Sequence, residues 1–450
     1  MGRLFGTDGI RGVVGENLTA ELAMRVGQSV ALVLYEHSGR YPTIIIGKDT
    51  RVSSDMLEYA LMAGICSVGG DAVPVGTIPT PSVAFLTRAE GADAGIVISA
   101  SHNPYEHNGI KVFNAQGYKL SDELEAEVEE KVLSPQSVAV CTRENIGRRH
   151  HGMKRLKQKY VDFAVSTAKS DLEGLRILVD CANGAASATA PDIFAAFKAR
   201  TDFINTEPNG LNINNGCGST HIGGLAARVV EGGYDIGVAF DGDADRCLMV
   251  DQMGGLIDGD KVMAVCALDM KTRGELDGNT LVATVMSNLG LHEFCRKNDI
   301  NIVCTSVGDR NVLEEMLAHG YRVGGEQSGH TIFTGLETSG DGEVTALQFL
   351  SILASSGKDA QTLTQVCRTY PQVLLNVALP NTVGIKDRIM SCAELREAVE
   401  REQEELSESG RILVRPSGTE PLIRVMVEAA DEKTANAAAQ RLVDVIQARI

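Results

Sequence analysis

The sequence lacks the features that would mark it as secreted, membrane-spanning or clamped around zinc. None of its ten cysteines forms a C-x-x-C pair and they stand far apart, which excludes the usual zinc spacing and offers no disulfide framework; reduced thiols in a cytoplasmic protein are expected. No apolar run approaches the ~18 residues that a membrane span requires, and the opening MGRLFGTDGIRG has no apolar signal core, so a soluble protein that stays inside the cell is expected. Positive charge is also scarce. Against 42 lysines and arginines stand 59 acidic residues, a net charge of −17, which excludes nucleic acid or an anionic membrane as the main partner. The one basic stretch, Cys141 to Lys159, has no aromatic residues interleaved to stack on bases and reads as a solvated linker and helix face. An anionic ligand would therefore need a site that is locally positive within a negative field.

What the chain does have is an ordinary globular balance, 44% hydrophobic and 22% charged, over 450 residues, too long for a single core. Four polar stretches punctuate its apolar runs. In the first, Gly95 to Ser99 is a β-branched run that predicts a buried parallel strand, and Asn103-Pro104 ends it with a turn. Ser101 then falls at the strand's carboxyl edge, where open α/β sheets bind ligands, and a solvent-facing serine is expected. Taken alone, SHNP reads as a turn more readily than as a site, since Ser, Asn and Pro are ordinary turn formers.

The second is Asp241-Gly-Asp-Ala-Asp-Arg246 after the apolar Ile236 to Phe240. If the strand continues, Asp241, Asp243 and Asp245 fall at period two on one side. Like charges that close repel unless a cation sits among them, and ligands that are all oxygen favour Mg²⁺, then Mn²⁺ or Ca²⁺. An EF-hand loop is excluded, because its glycine and glutamate places hold Arg246 and Gln252. The third, Gly324 to His330, lets backbone approach a ligand while Glu326 and Ser328 offer groups suited to hydroxyls. The fourth, Arg415-Pro-Ser-Gly-Thr-Glu-Pro421, combines the Arg415 fork, the hydroxyls of Ser417 and Thr419, the free backbone of Gly418 and nearby Arg424, a set suited to phosphate.

SASHNP, DGDADR, GEQSGH and RPSGTEP in this order, together with FGTDGIRG at residues 5–12, resemble the α-D-phosphohexomutases over nearly the whole chain. The resemblance implies four domains around a central cleft, three similar α/β domains with mixed or parallel sheets and a smaller α+β domain at the C-terminal end. It implies that Ser101 carries a phosphoryl group and that Asp241, Asp243 and Asp245 hold one Mg²⁺ with Ser101 beside it. It also implies that Arg11, Arg246, Glu326 and Ser328 contact the sugar phosphate, and that Arg415, Ser417, Gly418, Thr419 and Arg424 hold its phosphate. Lys111 is the first candidate for general base, which requires a lowered pKa, and His330 the second; His102 is expected to orient Ser101. The expected reaction interconverts glucosamine 6-phosphate and glucosamine 1-phosphate, with glucosamine 1,6-bisphosphate as intermediate and activator. Glucose or mannose phosphates are the alternative substrates, and a metal-dependent sugar phosphatase is the rival activity. A homodimer is the assembly kept in view.

Strand and helix runs place the domains at 1–150, 151–252, 253–368 and 369–450. The cadence of strand and helix recurs through the first three, with a polar loop after a strand in each, although no residue-level repeat is present. A continuous helix is expected over 185–199. Asp49, Arg51 and Ser53 read as mainly structural, and Arg310 as either a phosphate contact or a helix N-terminal residue.

Overall fold

The computed structural model describes residues 4–6, 8–134, 140–380, 382, 384–417 and 420–450. Three mixed α/β sheets follow one another along the chain. In each, a central strand (Thr43–Lys48, Arg176–Asp180, Thr280–Thr284) has a parallel neighbour on either side. The later of the two neighbours (Ala94–Ile98, Ile236–Phe240, Val323–Gly325) then pairs antiparallel with the next strand, respectively His107–Asn114, Cys247–Asp251 and Thr331–Phe333. The connection between these last two strands is where SASHNP, DGDADR and EQSGH lie. One topological position thus supplies the functional loop three times.

The first sheet shows why its strands read as continuous apolar runs. Ile44, Ile46, Ile96, Ile98 and Ile110 face one layer, packing with Leu57, Leu61 and Ile65 of the helix Ser54–Ser67. Ile45 and Val97 are equally buried, so both faces are covered and the hydrophobic alternation of a half-solvated strand disappears. The expected helix over 185–199 is broken: a 3₁₀ turn at Ala185–Ala188 and a short α-helix at Ala190–Phe194 replace it. Thr189 leaves the helical region at φ −123°, and Pro191 has no N–H to continue the ladder.

Residues 1–285 and 300–366 form one compact unit, and residues 286–299 with 367–450 form another. The second unit is α+β. Its antiparallel sheet runs in the order Gln372–Ala378, Leu422–Glu428, Arg411–Pro416, with Ile423, Val425 and Val427 fully buried beneath the helices Ala393–Leu406 and Glu432–Gln447. The helix Leu289–Lys297 belongs to this unit, because Glu428 accepts from the Leu289 N–H and from Asn288.

A buried polar knot braces the aspartate loop from behind. The Gly342 N–H donates to the Ala244 carbonyl at 2.9 Å, and Asp341 caps the helix Gly342–Ser356 through Val344. Tyr160 Oη lies 2.9 Å from Asp341 and 3.0 Å from Glu343, while Thr189 donates to the other Glu343 oxygen. One phenol carries one proton, so both contacts are full hydrogen bonds only when one of the two carboxyls is itself protonated. Burial, then the neighbouring Asp341 charge, pushes Glu343 up to about 8, whereas Asp341 rises only to about 6, so Glu343 is the neutral partner at pH 7. An acid whose pKa is raised on folding contributes stability that is full below its unfolded pKa and is lost as pH rises through the folded value. Glu343→Gln keeps the hydrogen-bonding pattern without titrating. Its melting temperature relative to the parent protein should therefore improve from pH 5 to about pH 8 and then level off; a difference in melting temperature that stays constant across pH 5 to 9 would show that Glu343 titrates normally.

Candidate active site

Ser101 follows the strand Ala94–Ile98 in the left-handed region, at φ 51°. That conformation costs a non-glycine residue of order 1 kcal/mol or more and persists only where surroundings enforce it. Here they do. The Ser101 N–H donates to Ser99 Oγ, and the Ser101 carbonyl accepts from Arg51 at 3.1 Å and from Asn214 at 2.9 Å. Arg51 is buried and itself anchored on Asp49. The loop from the next domain closes over the serine: a Cβ at Gly242 would lie 2.6 Å from the Ser101 carbonyl oxygen, so only glycine permits the approach. Ser101 is accordingly 1% exposed, buried rather than solvent-facing, because the aspartate loop covers the strand end.

The same closure brings Ser101 Oγ to 2.6 Å from Oδ2 of Asp241, to which it donates. His102 Nδ1 lies 3.4 Å from Oγ on the other side, its pKa pushed down by desolvation and by Arg246 and Arg11. Asp241, Asp243 and Asp245 each place a carboxylate oxygen within 4.8 Å of the others. They do not reach this arrangement on an extended strand. Ile236–Phe240 ends first, and a turn with Ala244 at φ 55° folds the three side chains together. Burial, followed by the charges of Asp245 and Asp243, pushes the Asp241 carboxyl well above its usual range. Burial also acts on Asp243, but Lys111 and the Thr80 hydroxyl outweigh it and hold this carboxyl below the usual range. Oδ1 of Asp243 and Oδ1 of Asp245 are buried without a hydrogen-bond partner. Unpaired carboxylate oxygens in an all-oxygen cluster fit a hard divalent cation.

Lys111 extends from the strand His107–Asn114 into this cluster, 3.1 Å from Asp243, 3.1 Å from Asp8 and 3.7 Å from Asp245. Burial alone would lower its pKa, yet the three carboxylates raise it above the ordinary lysine value. The lowered pKa expected of a resting general base is therefore reversed, and Lys111 is held as a cation. Asp8 in turn takes Lys119, which reaches on to Asp309, and Asp309 lies 3.8 Å from His330.

Asp245 also lines a cavity of about 560 Å³ with Asp8, Arg11, Arg246, Asp309, Arg310, Asn311, Glu326 and His330. Glu326 is oriented there by accepting from the Gly308 N–H at 3.0 Å. Arg11 pairs with Asp8. Arg310, in the first turn of the helix Asp309–His319, is tied to Asp122 and the Leu120 carbonyl. Ser328 is exposed and absent from the lining. In the other unit, Arg415 and Arg424 stand directly opposite on adjacent antiparallel strands. Like charges so paired destabilise a sheet unless an anion bridges them. Burial and then Arg424 push the Arg415 pKa down, and Nε of Arg424 is buried without a partner. Ser417 is buried, its carbonyl accepting from Lys386. Gly418 and Thr419 lie outside the described residues.

Sequence reasoning did not single out Thr80, Lys119, Asn214, Asp8 or Asp309, and took Arg51 as merely structural. Asp8 sits inside FGTDGIRG and Asp309 beside Arg310, so their neighbourhoods were visible. The others carry no local signature, since each acts on a group more than a hundred residues away.

Matches to known proteins agree with this geometry. Four family models cover the chain in sequence: phosphoglucomutase/phosphomannomutase alpha/beta/alpha domain I over residues 2–138, domain II over 154–254, domain III over 258–370 and the C-terminal domain over 374–445. Phosphoglucosamine mutases of Clostridium botulinum (strain Langeland) and Acetivibrio thermocellus are 49% and 50% identical over 451 residues, covering 100% of both chains in each comparison. Among solved structures, a phosphoglucomutase/phosphomannomutase family protein from Burkholderia thailandensis superimposes with a TM-score of 0.82 at 24% identity, covering 98% of this chain and 97% of that one. Aspergillus fumigatus N-acetylphosphoglucosamine mutase, solved with GlcNAc-6P and magnesium, gives 0.72 at 18% identity, covering 100% and 96%. Matched domain by domain, and over its full length by close relatives, with its serine and aspartate loops at equivalent turns, the chain belongs to the phosphoglucomutase/phosphomannomutase family.

Proposed function

We propose that the enzyme interconverts glucosamine 6-phosphate and glucosamine 1-phosphate, through phosphoserine at residue 101 and with glucosamine 1,6-bisphosphate as intermediate and activator. The observation that carries the phosphoryl-transfer reading is the 2.6 Å hydrogen bond from Ser101 Oγ to Asp241, which sets a hydroxyl nucleophile against a carboxylate cage. The full-length identity to phosphoglucosamine mutases supports glucosamine as the sugar. A cavity of about 560 Å³ is of the size that holds a hexose phosphate. The cytoplasm is the proposed location, supported by ten widely spaced cysteines with no C-x-x-C pair and by the absence, among the described residues, of a helix long and apolar enough to cross a membrane. The domains are taken as 1–150, 151–252, 253–368 and 369–450.

Asp241, Asp243 and Asp245 hold Mg²⁺ in this reading, with Ser101 beside it, and the cation neutralises charge on the phosphoryl group during transfer. The protein's own residues do the rest. Phosphoserine-101 gives its phosphoryl to a sugar hydroxyl: the bond from phosphorus to Ser101 Oγ breaks, a bond to the sugar oxygen forms, and the hydroxyl proton passes to a base. The bisphosphate then turns over and returns its other phosphate to Ser101. In this reading Lys111, held cationic by Asp243, Asp8 and Asp245, donates a proton to the Ser101 oxygen as it leaves. His330, buried in the cavity wall with no hydrogen-bond partner on Nδ1, accepts the proton of the sugar hydroxyl in the same reading. Arg11, Arg246, Glu326 and Ser328 contact the sugar phosphate, while Arg415, Ser417, Gly418, Thr419 and Arg424 grip the phosphate that is not being transferred.

The intact mass of the purified protein should include a stable phosphate, and Ser101→Ala should remove it and abolish turnover, with an unchanged circular dichroism spectrum. Turnover equal to the parent's would refute the nucleophile. Activity should also vanish in excess chelator and return with Mg²⁺, and Asp243→Ala should lose both metal and rate; full activity in chelator would refute the cation. Specificity is tested by kcat/KM for glucosamine, glucose and mannose phosphates in parallel. A pocket that pairs the 2-amino group rejects the hydroxyl analogue by up to ~10⁴, whereas one that merely tolerates it discriminates by ~10² or less. Glucosamine phosphate should be preferred with residual action on glucose phosphate. A higher value for glucose or mannose phosphate would leave the mutase and overturn the sugar.

A further inference from the structure

Thr80 belongs to none of the motifs, yet it touches the aspartate cage more closely than most residues that do. It opens the helix Thr80–Glu90, is 4% exposed, and donates twice to Asp243: its hydroxyl to Oδ2 at 2.7 Å and its backbone N–H to the main-chain carbonyl at 2.9 Å. Lys111 donates to the same Oδ2 at 3.1 Å. Oδ2 of Asp243 therefore has two donors, whereas Oδ1 of the same carboxylate is buried and has no hydrogen-bond partner. A carboxylate so loaded cannot rotate to exchange its oxygens without stripping both donors from Oδ2.

The two donors do different work. Lys111 is a long side chain shared among Asp243, Asp8 and Asp245, so it supplies charge without fixing the plane of any one carboxylate. Thr80 is short, β-branched and seated at a helix end, and it grips the backbone and side chain of Asp243 together. We infer that Thr80 is a positioning residue for the divalent cation: by occupying Oδ2 it presents Oδ1 of Asp243 to the ion. This rests on the reading that the three aspartates hold a metal. Partners of this kind hold a ligand's orientation, and losing one typically costs ~10–100-fold in metal affinity.

The test measures Mn²⁺ binding to the full chain directly, by the electron paramagnetic resonance signal of the free ion, with no turnover involved. Thr80→Val removes the donor at nearly constant shape and should weaken the dissociation constant by ~10–100-fold, while Thr80→Ser, which restores the donor, should stay within a few-fold of the parent protein. Melting temperatures in chelator are read alongside, because a merely structural threonine would lower them and leave the affinity alone. Parent-like affinity in Thr80→Val, or a loss in Thr80→Ser as large as in Thr80→Val, overturns the role of Thr80. Should Thr80→Val fail to fold, Thr80→Ala removes the same hydroxyl and is read in the same way. Absence of Mn²⁺ binding by the parent protein instead overturns the metal reading beneath it.

Discussion

Three carboxylates, two buried and the third partly so, held within 4.8 Å of one another set the terms for the centre of this protein. At that separation, and at an effective dielectric constant of about 20, each pair of full charges repels by at least about 3 kcal/mol. Three such pairs would cost about 10 kcal/mol, comparable to the whole net stability of a folded domain. The structure answers with alternation. Asp243 and Asp245 face Lys111, Lys111 faces Asp8, Asp8 faces Lys119, and Lys119 faces Asp309. Asp241 has no lysine among its partners, and burial with its two acidic neighbours pushes it toward the neutral form. Even so, Oδ1 of Asp243 and Oδ1 of Asp245 accept no hydrogen bond, and the latter has only Arg246 Nε at 3.9 Å. The cluster is balanced for a cation rather than for itself.

The repeated sheet plan explains how such a cluster can be assembled at all. Parallel strands direct their carboxyl ends to one edge, and the antiparallel strand that follows turns the chain sharply back, so the connection is short and its residues are held tightly. The first domain uses that turn to place Ser101 in a strained backbone, the second uses it to gather aspartates, and the third uses it for Glu326 and His330. Rigid sheets set the positions, and loop chemistry differs between them. Gly242 shows how tight the fit is, since a single Cβ there would strike the serine carbonyl.

Residues that act through their near neighbours in sequence were the legible ones. The aspartate run and the serine turn each announce themselves within six residues, and apolar runs bounded by turns located the strands. The details that escaped depend on packing between distant segments. Ser101 looks solvent-facing from its place at a strand end, but it is buried because a loop 140 residues later covers it. The aspartates look aligned along a strand, but a turn gathers them. Lys111 looks like a base, but its pKa depends on Asp8 and Asp243, which lie far away in sequence in opposite directions. The alanine-rich stretch after Gly184 looks helical by propensity, yet Pro191 and Thr189 break it.

The two polar centres of the chain, each within its own unit, differ in charge. Arg415 has Arg424 opposite in register and Lys386 donates to the neighbouring Ser417 carbonyl, while Glu420 offsets part of this positive charge by accepting from Arg424. The Ser101 end is the reverse. It is walled by Asp241, Asp243 and Asp245, and Lys111 is already committed to its carboxylates, so an incoming dianion meets net negative charge there until a cation is bound. The acidic cluster beside Ser101 thus has room for added positive charge, whereas the two arginines facing each other across strands have room for added negative charge.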